Sequence, residues 1–510
     1  MPHRQTNPLI LTGDVLSFFE IEHVARHGRA VRLGDDARTR IEASHRALER
    51  AISGGEPIYG VNTGFGSFAR RRVELDELTT VQRNLLRSHA AGVGPPMSEE
   101  TVRAMLLLLA ASLCRGRSGV RVVVVERILD LLNHGLTPLV PSIGSVGASG
   151  DLAPLAHACL VLLGEGEVVY EGEQISGRDA LQRAGLEPLE LGPKEGLALI
   201  NGTHLMAGEA ALALADADRL IDAATLATAM SIDACRATDA FLDERVYEAR
   251  NHDGPGRIAS RLRQHLSGSQ IIPSHRENDP RVQDPYSFRC CAYVLGAALD
   301  LLGFVRDKVE CELGAVTDNP LVFAGESGEA PAVISAGNFH GMPIALPLDC
   351  IAMAMAHIAG IAERRIYFTL SATDPENHLH PHLSPHPGVE SGYMITQYAA
   401  AACCNELITL STPATVSNIP TCAGVEDYNS FGPRAAAKAR RSIELCRSVI
   451  AIELLCASEA IEYQRPLRSG DGVERAHETI REVVPRLTAD RSPAPDIRAI
   501  EDLIRTGRFR

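Results

Sequence analysis

The run Gly144-Ser145-Val146-Gly147-Ala148-Ser149-Gly150-Asp151-Leu152-Ala153-Pro154-Leu155-Ala156-His157 holds the most unusual chemical potential in the chain. Its centre is built from small side chains, with Ala148-Ser149-Gly150 lying between glycine-bearing turns. Glycine has no Cβ, so a backbone rich in it can fold back tightly on itself. In such a loop the amide nitrogen of Gly150 can reach the carbonyl carbon of Ala148. Ring closure there, with one water lost from the ring and one from Ser149, gives a dehydroalanine-bearing imidazolone. That is a strong electrophile, which no ordinary side chain supplies. The plainer alternative is a glycine-rich loop ahead of a helix. Asp151 and Pro154 suit a helical first turn, so a helix is expected to begin at the loop and to set a partial positive charge behind it.

An electrophile of this kind suits removal of ammonia from an α-amino acid, a reaction with three demands. The amine must become a leaving group, which a covalent bond to an electrophile achieves. A base must take the weakly acidic β-proton, and a planar cation, best an arginine, must hold the carboxylate. Several motifs carry residues of these types. They are Tyr59-Gly-Val-Asn-Thr-Gly-Phe-Gly66, Ser88-His89-Ala-Ala-Gly92, Lys194-Glu-Gly-Leu-Ala-Leu-Ile-Asn201, Gln283-Asp-Pro-Tyr286-Ser-Phe-Arg289, Gly337-Asn-Phe339-His340 and Gly424-Val-Glu426-Asp-Tyr428. Each has an ordinary reading by itself: Arg289 in a helix-start ion pair, Phe339 in the core, His89 at a helix C-terminus, Glu426 on the surface.

Together, and in this order over Thr12 to Arg508, they resemble the aromatic amino acid ammonia-lyases, the histidine and phenylalanine ammonia-lyase family. The resemblance implies a 4-methylidene-imidazol-5-one group formed from Ala148, Ser149 and Gly150, with no diffusible cofactor and no metal. It implies Tyr59 as the base, whose ordinary pKa of about 10 would have to fall for work at neutral pH. It sets Asn201 beside the prosthetic group, Gln283 and Tyr286 in the site, Arg289 on the carboxylate, Phe339 near the methylidene, and His89 on the substrate side chain. It also implies a homotetramer whose active sites draw residues from more than one subunit, acting on a small amino acid.

His89 and Glu426 resemble the histidine-specific branch, because an imidazole has two nitrogens to satisfy and a carboxylate with a histidine can satisfy both. The expected reaction is therefore deamination of L-histidine to urocanate and ammonia. The same chemistry on tyrosine or phenylalanine, or a 2,3-aminomutase outcome, stays open. Gly424-Val425 replaces the family's usual Asn-Gln, and Thr373–Val389, which ends close to the pocket-side residue Met394, departs from the histidine branch. Both changes concern the part that reads the ring.

The elements that must position these residues read as mostly α, a core bundle of long helices with a smaller mixed N-terminal region carrying the prosthetic-group loop. Apolar spacing predicts long helices over Leu205–Asp233, Ala292–Leu313, Pro343–Ile366, Ser391–Leu410 and Arg434–Glu462. Several are apolar or alanine-rich almost all round, which suggests subunit packing as well as core. One or two short helices are expected in the first 55 residues, then helices over Leu75–Ala90 and Glu99–Leu113. Arg121–Leu132 pits four valines against a helical leucine pattern, and helix is chosen. Glu167–Ile175 reads as a β-hairpin around Glu171-Gly172. The expected division is 1–204, 205–465 and a charged C-terminal helical cap over 466–510.

A chain of 510 residues can bury a large core, and its net charge of −14 argues against nucleic acid or an anionic membrane as partner. Met1–Leu11 shows no secretory pattern, and no stretch is expected to approach the roughly 20 apolar residues needed to span a bilayer. The 12 cysteines are irregularly spaced without a CxxC, which favours reduced thiols in the cytoplasm. The proline-broken stretch His378–His386 is read as a loop near the site mouth, its histidines lacking the fixed spacing of a metal site.

Overall fold

The computed structural model describes residues 7–277, 279–325 and 330–509, with the side chain of Leu75 set aside. Met1–Thr6, within the segment read for a secretory signal, and Arg510, at the end of the expected cap, lie outside the described residues. Helix accounts for 59% of the structure, well above the roughly one third usual in globular proteins, so the chain is mostly α. It divides into two compact units, one of Met1–Leu212, Arg306–Leu348 and Pro413–Ala437, the other of Ala213–Val305, Asp349–Thr412 and Lys438–Arg510.

The first unit is built around helix Glu99–Leu113, nearly every residue of which is buried. Ser98 caps it by accepting from the Thr101 N–H, and Glu99 and Glu100 fill its first turn, complementing the helix dipole. Four consecutive leucines, Leu106 to Leu109, face neighbours on every side and are buried, each contributing about 2 kcal/mol of apolar burial. Helices Phe18–His27 and Val122–His134 pack on it. The valine run thus joins the helix, because Val124, Val125, Ile128, Leu129, Leu131 and Leu132 make one buried face. Helix Asp35–Ser53 has 19 residues, longer than the short helices expected. Two short parallel strands, Leu9–Leu11 and Val31–Leu33, were not legible, since three residues are too few to show alternation. The hairpin is present as Glu167–Tyr170 and Glu173–Ser176, and its turn residues Glu171 and Gly172 both have positive φ, as the tightest hairpin turns require.

The long helices run His204–Ala234, Cys291–Leu313, Met342–Ser371, Met394–Leu410 and Gly432–Glu462. In Cys291–Leu313 the expected face is buried at Leu295, Leu302, Val305 and Val309. One expectation needs correcting. Met342–Ser371 is long and apolar enough, by length and composition, to cross a membrane, although most of its most apolar stretch is buried in the protein. Ile351, Met355 and Ile358 are fully covered, as in a helix buried on several sides.

In the second unit, Arg365 and Glu453 form a fully buried bidentate pair, Nε to Oε1 at 2.6 Å and Nη2 to Oε2 at 3.0 Å. Arg365 also donates to the Ser287 carbonyl at 3.1 Å, fixing the short helix Tyr286–Arg289. The C-terminal segment forms helices Asp471–Arg481 and Ala494–Arg505. All 12 cysteines are free.

Candidate active site

Within the first unit lies a cavity of about 710 Å³ whose wall includes Tyr59, His89, Ser149, Asn201, Phe339 and Glu426. Six of the expected site residues, from segments up to several hundred positions apart, therefore meet at one place.

The loop that carries Ser149 is held by backbone contacts. Gly150 lies at φ +75°, and a Cβ there would sit 2.1 Å from the Gly202 carbonyl oxygen. Only glycine allows that approach. The Gly202 carbonyl accepts from the Asp151 N–H at 2.7 Å, and the Gly202 N–H points back to the Ser149 carbonyl at 3.4 Å. Gly147 is equally confined, since a Cβ would meet Ser430 Oγ at 2.1 Å, and the Phe431 N–H donates to Val146. Ser145 Oγ reaches across the loop to the Gly150 carbonyl at 3.3 Å.

The helix after the loop is Ala153–Leu160, with Pro154 in its first turn. Asp151 does not serve it. Its carboxylate accepts from the Leu205 N–H at 2.6 Å, at the start of His204–Ala234. Complete burial holds the Asp151 carboxyl well above the usual carboxylate range, backbone donors at Leu205 and Met206 opposing the shift. The sequence placed Asp151 in the helix nearest in the chain; the fold gives it to one beginning more than fifty residues later.

Asn201 ends helix Glu195–Ile200. Its Nδ2 donates to the Asn319 carbonyl at 3.0 Å, which fixes the amide's orientation and leaves Oδ1 buried without a partner among the described residues. Asn319 is in turn held by the Ala336 N–H on its Oδ1 at 2.7 Å and by its own N–H on Asp318 Oδ1 at 2.6 Å. Behind this chain of contacts Lys194 Nζ meets Asp318 Oδ2 at 2.5 Å, both side chains almost wholly buried. Lys194, Asp318 and Asn319 were missed in the sequence. A lysine beside an apolar run ordinarily signals a solvated helix end.

Tyr59 comes from the glycine loop, where the Gly66 N–H donates to its phenolic oxygen at 3.2 Å. A Cβ on Gly66 would meet Cys422 Sγ at 2.6 Å, so this loop lies directly against the turn leading to Glu426. In that turn Cys422, Ala423 and Gly424 all have positive φ, a strained run of the sort found where a functional side chain must be aimed. Glu426 Oε2 accepts from the Thr421 hydroxyl at 2.8 Å.

His89 Nδ1 lies 2.9 Å from the Leu85 carbonyl, which can only accept. The proton therefore sits on Nδ1, and in the neutral ring Nε2 is an acceptor. Burial lowers the pKa of His89 from its ordinary 6.5, opposed by the Leu85 contact and by the charge of Glu426. The wall between these polar groups is apolar, with Phe65, Phe68, Leu85 and Val425.

The other expected residues do not line this cavity. Gln283, Tyr286, Arg289 and Met394 belong to the second unit. Tyr286 is 70% exposed, with the Arg289 guanidinium 4.5 Å from its ring centroid and Arg289 Nε donating to the Asp284 carbonyl at 3.0 Å. Met394 opens helix Met394–Leu410. Ala148 and Gly150 flank Ser149 but are buried beneath the wall. Among the described residues, no group of three or more His, Cys, Asp or Glu is placed to hold a metal ion.

A family profile described as aromatic amino acid lyase matches residues 16–482. The chain belongs to the aromatic amino acid lyase family. This lyase, an enzyme of carbon–nitrogen cleavage, is 43% identical over 509 residues to a histidine ammonia-lyase of Koribacter versatilis, covering 98% of each chain. Among solved structures it is similar to histidine ammonia-lyase from Trypanosoma cruzi, with a TM-score of 0.90, 34% identity, and coverage of 99% of this chain and 94% of that one. It is also similar to tyrosine aminomutase from Streptomyces globisporus, with a TM-score of 0.92, 32% identity, and coverage of 99% and 98%.

Proposed function

We propose that this lyase deaminates L-histidine to urocanate and ammonia, and that its electrophile is a 4-methylidene-imidazol-5-one made from Ala148, Ser149 and Gly150. The observation that carries the reading is the cavity itself, which sets Ser149 and Asn201 on the same wall as Tyr59, His89 and Glu426. Two features fit the prosthetic group. The Gly150 backbone is folded so tightly that no Cβ fits, as ring closure between residues 148 and 150 requires. The buried, unpartnered Oδ1 of Asn201 offers a polar contact to a group formed beside Ser149, and a buried polar atom needs such a partner. When formed, the group supplies an electrophilic carbon for the substrate amine.

Other roles fall to the side chains. Tyr59 takes the β-proton, its oxygen anchored by the Gly66 N–H. His89 Nε2 accepts one N–H of the substrate ring, bound as the imidazolium, and the Glu426 carboxylate accepts the other. Phe339 covers the reacting end, and Arg289 holds the carboxylate, with Gln283, Tyr286 and Met394 completing the site. The exposure of Tyr286 supports a homotetramer with shared sites. Exposed apolar residues on helix Met394–Leu410, Ile395, Tyr398 and Ile408, support such packing. Twelve unpaired cysteines suit a reducing, cytoplasmic setting.

A second reading, the same chemistry on tyrosine or phenylalanine with or without return of ammonia to the β-carbon, draws support from the apolar wall of Phe65, Phe68 and Val425. Intact mass tests the electrophile. The purified chain should fall short of its sequence mass by two waters, and a full sequence mass would refute it.

A further inference from the structure

We propose that Thr421 is a positioning residue for Glu426, setting the carboxylate that reads the substrate ring; this rests on the reading of Glu426 given above. Glutamate on a half-buried turn has free rotors, and holding one oxygen toward a ligand takes a second contact on the other. Thr421 supplies it, its hydroxyl donating to Oε2 at 2.8 Å. Oε1 has no hydrogen-bond partner among the described residues and is left for the ligand.

The direction of the Thr421 proton is itself fixed. Asn429 Nδ2 lies 3.4 Å from Thr421 Oγ1 and also donates to the Ile419 carbonyl at 2.6 Å. Asn429 is 1% exposed, and its N–H is bound by Asn418 Oδ1 at 2.8 Å. With an amide donor on one lone pair, the Thr421 hydroxyl turns its hydrogen to the carboxylate. Its β-branched side chain is stiff about χ1, so the contact runs from buried Asn429 through a rigid side chain to Glu426. The Thr421 N–H donates to the Glu426 carbonyl at 2.9 Å. That backbone bond closes the turn whatever side chain stands at 421, so the hydroxyl can be removed without opening it.

The test uses the full-length assembled enzyme and four variants: Thr421→Val, Thr421→Ser, Glu426→Gln, and Thr421→Val with Glu426→Gln. Thr421→Val keeps the shape and removes the O–H. It should lower kcat/KM for L-histidine about tenfold, the scale of one charge-assisted hydrogen bond, at an unchanged melting temperature. Thr421→Ser should restore it to within about twofold, and adding Thr421→Val to Glu426→Gln should cost less than about twofold more, because the two act as one unit. Wild-type kcat/KM in Thr421→Val, no rescue by serine, or the full loss persisting in the Glu426→Gln background would each overturn the proposal. If Glu426→Gln alone leaves kcat/KM unchanged, the reading of Glu426 fails, and the positioning role fails with it. If Glu426→Gln is impaired and Thr421→Val is not, only the role of Thr421 is lost.

Discussion

Lys194→Met isolates a buried charge next to the proposed site. In the native protein Lys194 and Asp318 are 0% and 2% exposed and 2.5 Å apart. Taking two ions out of water costs several kcal/mol each, so the pair as a whole adds little net stability. Removing one partner is different. Among the described residues Asp318 would keep only the Asn319 N–H on Oδ1 and would be left as an uncompensated buried carboxylate, at a cost of about 3–5 kcal/mol. Asp318→Asn should cost a similar amount for the converse reason. Methionine fills the lysine's stem volume and asparagine keeps the acceptor for Asn319, so the double variant should recover most of the loss, with a coupling of about 3 kcal/mol. Because Asp318 holds Asn319, and Asn319 holds Asn201, either single variant should also lower kcat/KM more than the double does. The assay is urea unfolding of all four proteins alongside turnover of L-histidine. Single-variant losses below about 0.5 kcal/mol, the level of an ordinary surface change, would refute the reasoning, as would losses that simply add.

Ser149→Ala should abolish turnover and restore the full sequence mass while leaving assembly intact by light scattering; loss of assembly would mean that the loop is structural. Gly150→Ala should likewise show no loss of water, since its Cβ would fall 2.1 Å from the Gly202 carbonyl; a normal prosthetic group in that variant would contradict the tight-loop argument. Burial raises the Asp233 carboxyl from 3.8 to about 6 against the opposing donors Gly470 N–H and Ser269 Oγ. The native state then holds a proton that the unfolded chain gives up, so stability should fall as pH rises from about 4 to 6, by up to about 3 kcal/mol at ~1.36 kcal/mol per pH unit. Asp233→Asn should flatten that slope in urea unfolding; an unchanged slope would exclude Asp233 as its source.

The sequence carried the long helices because their apolar residues repeat at three and four over twenty or more positions, and no other element makes that pattern. It carried the hairpin because Glu171-Gly172 is a turn that two positive φ angles explain. It did not carry the two three-residue parallel strands, whose partners lie some twenty residues apart. It fell short on helix Met342–Ser371 only in length and apolarity, which by themselves would suffice to cross a membrane although most of that stretch is buried. At the site, Tyr59, His89, Ser149, Asn201, Phe339 and Glu426 were legible as motifs, and they share one cavity. The residues that hold them were not. Asp151, Lys194, Asp318, Asn319 and Thr421 act through contacts set by the fold, and a charged or hydroxyl side chain in isolation reads as surface.

The most direct test is to incubate the purified enzyme separately with L-histidine, L-tyrosine and L-phenylalanine and to follow each unsaturated acid by its ultraviolet absorbance. Urocanate should form from L-histidine, and the other two amino acids should give little or no product. Product from tyrosine or phenylalanine alone would contradict the assignment of His89 and Glu426 to an imidazole.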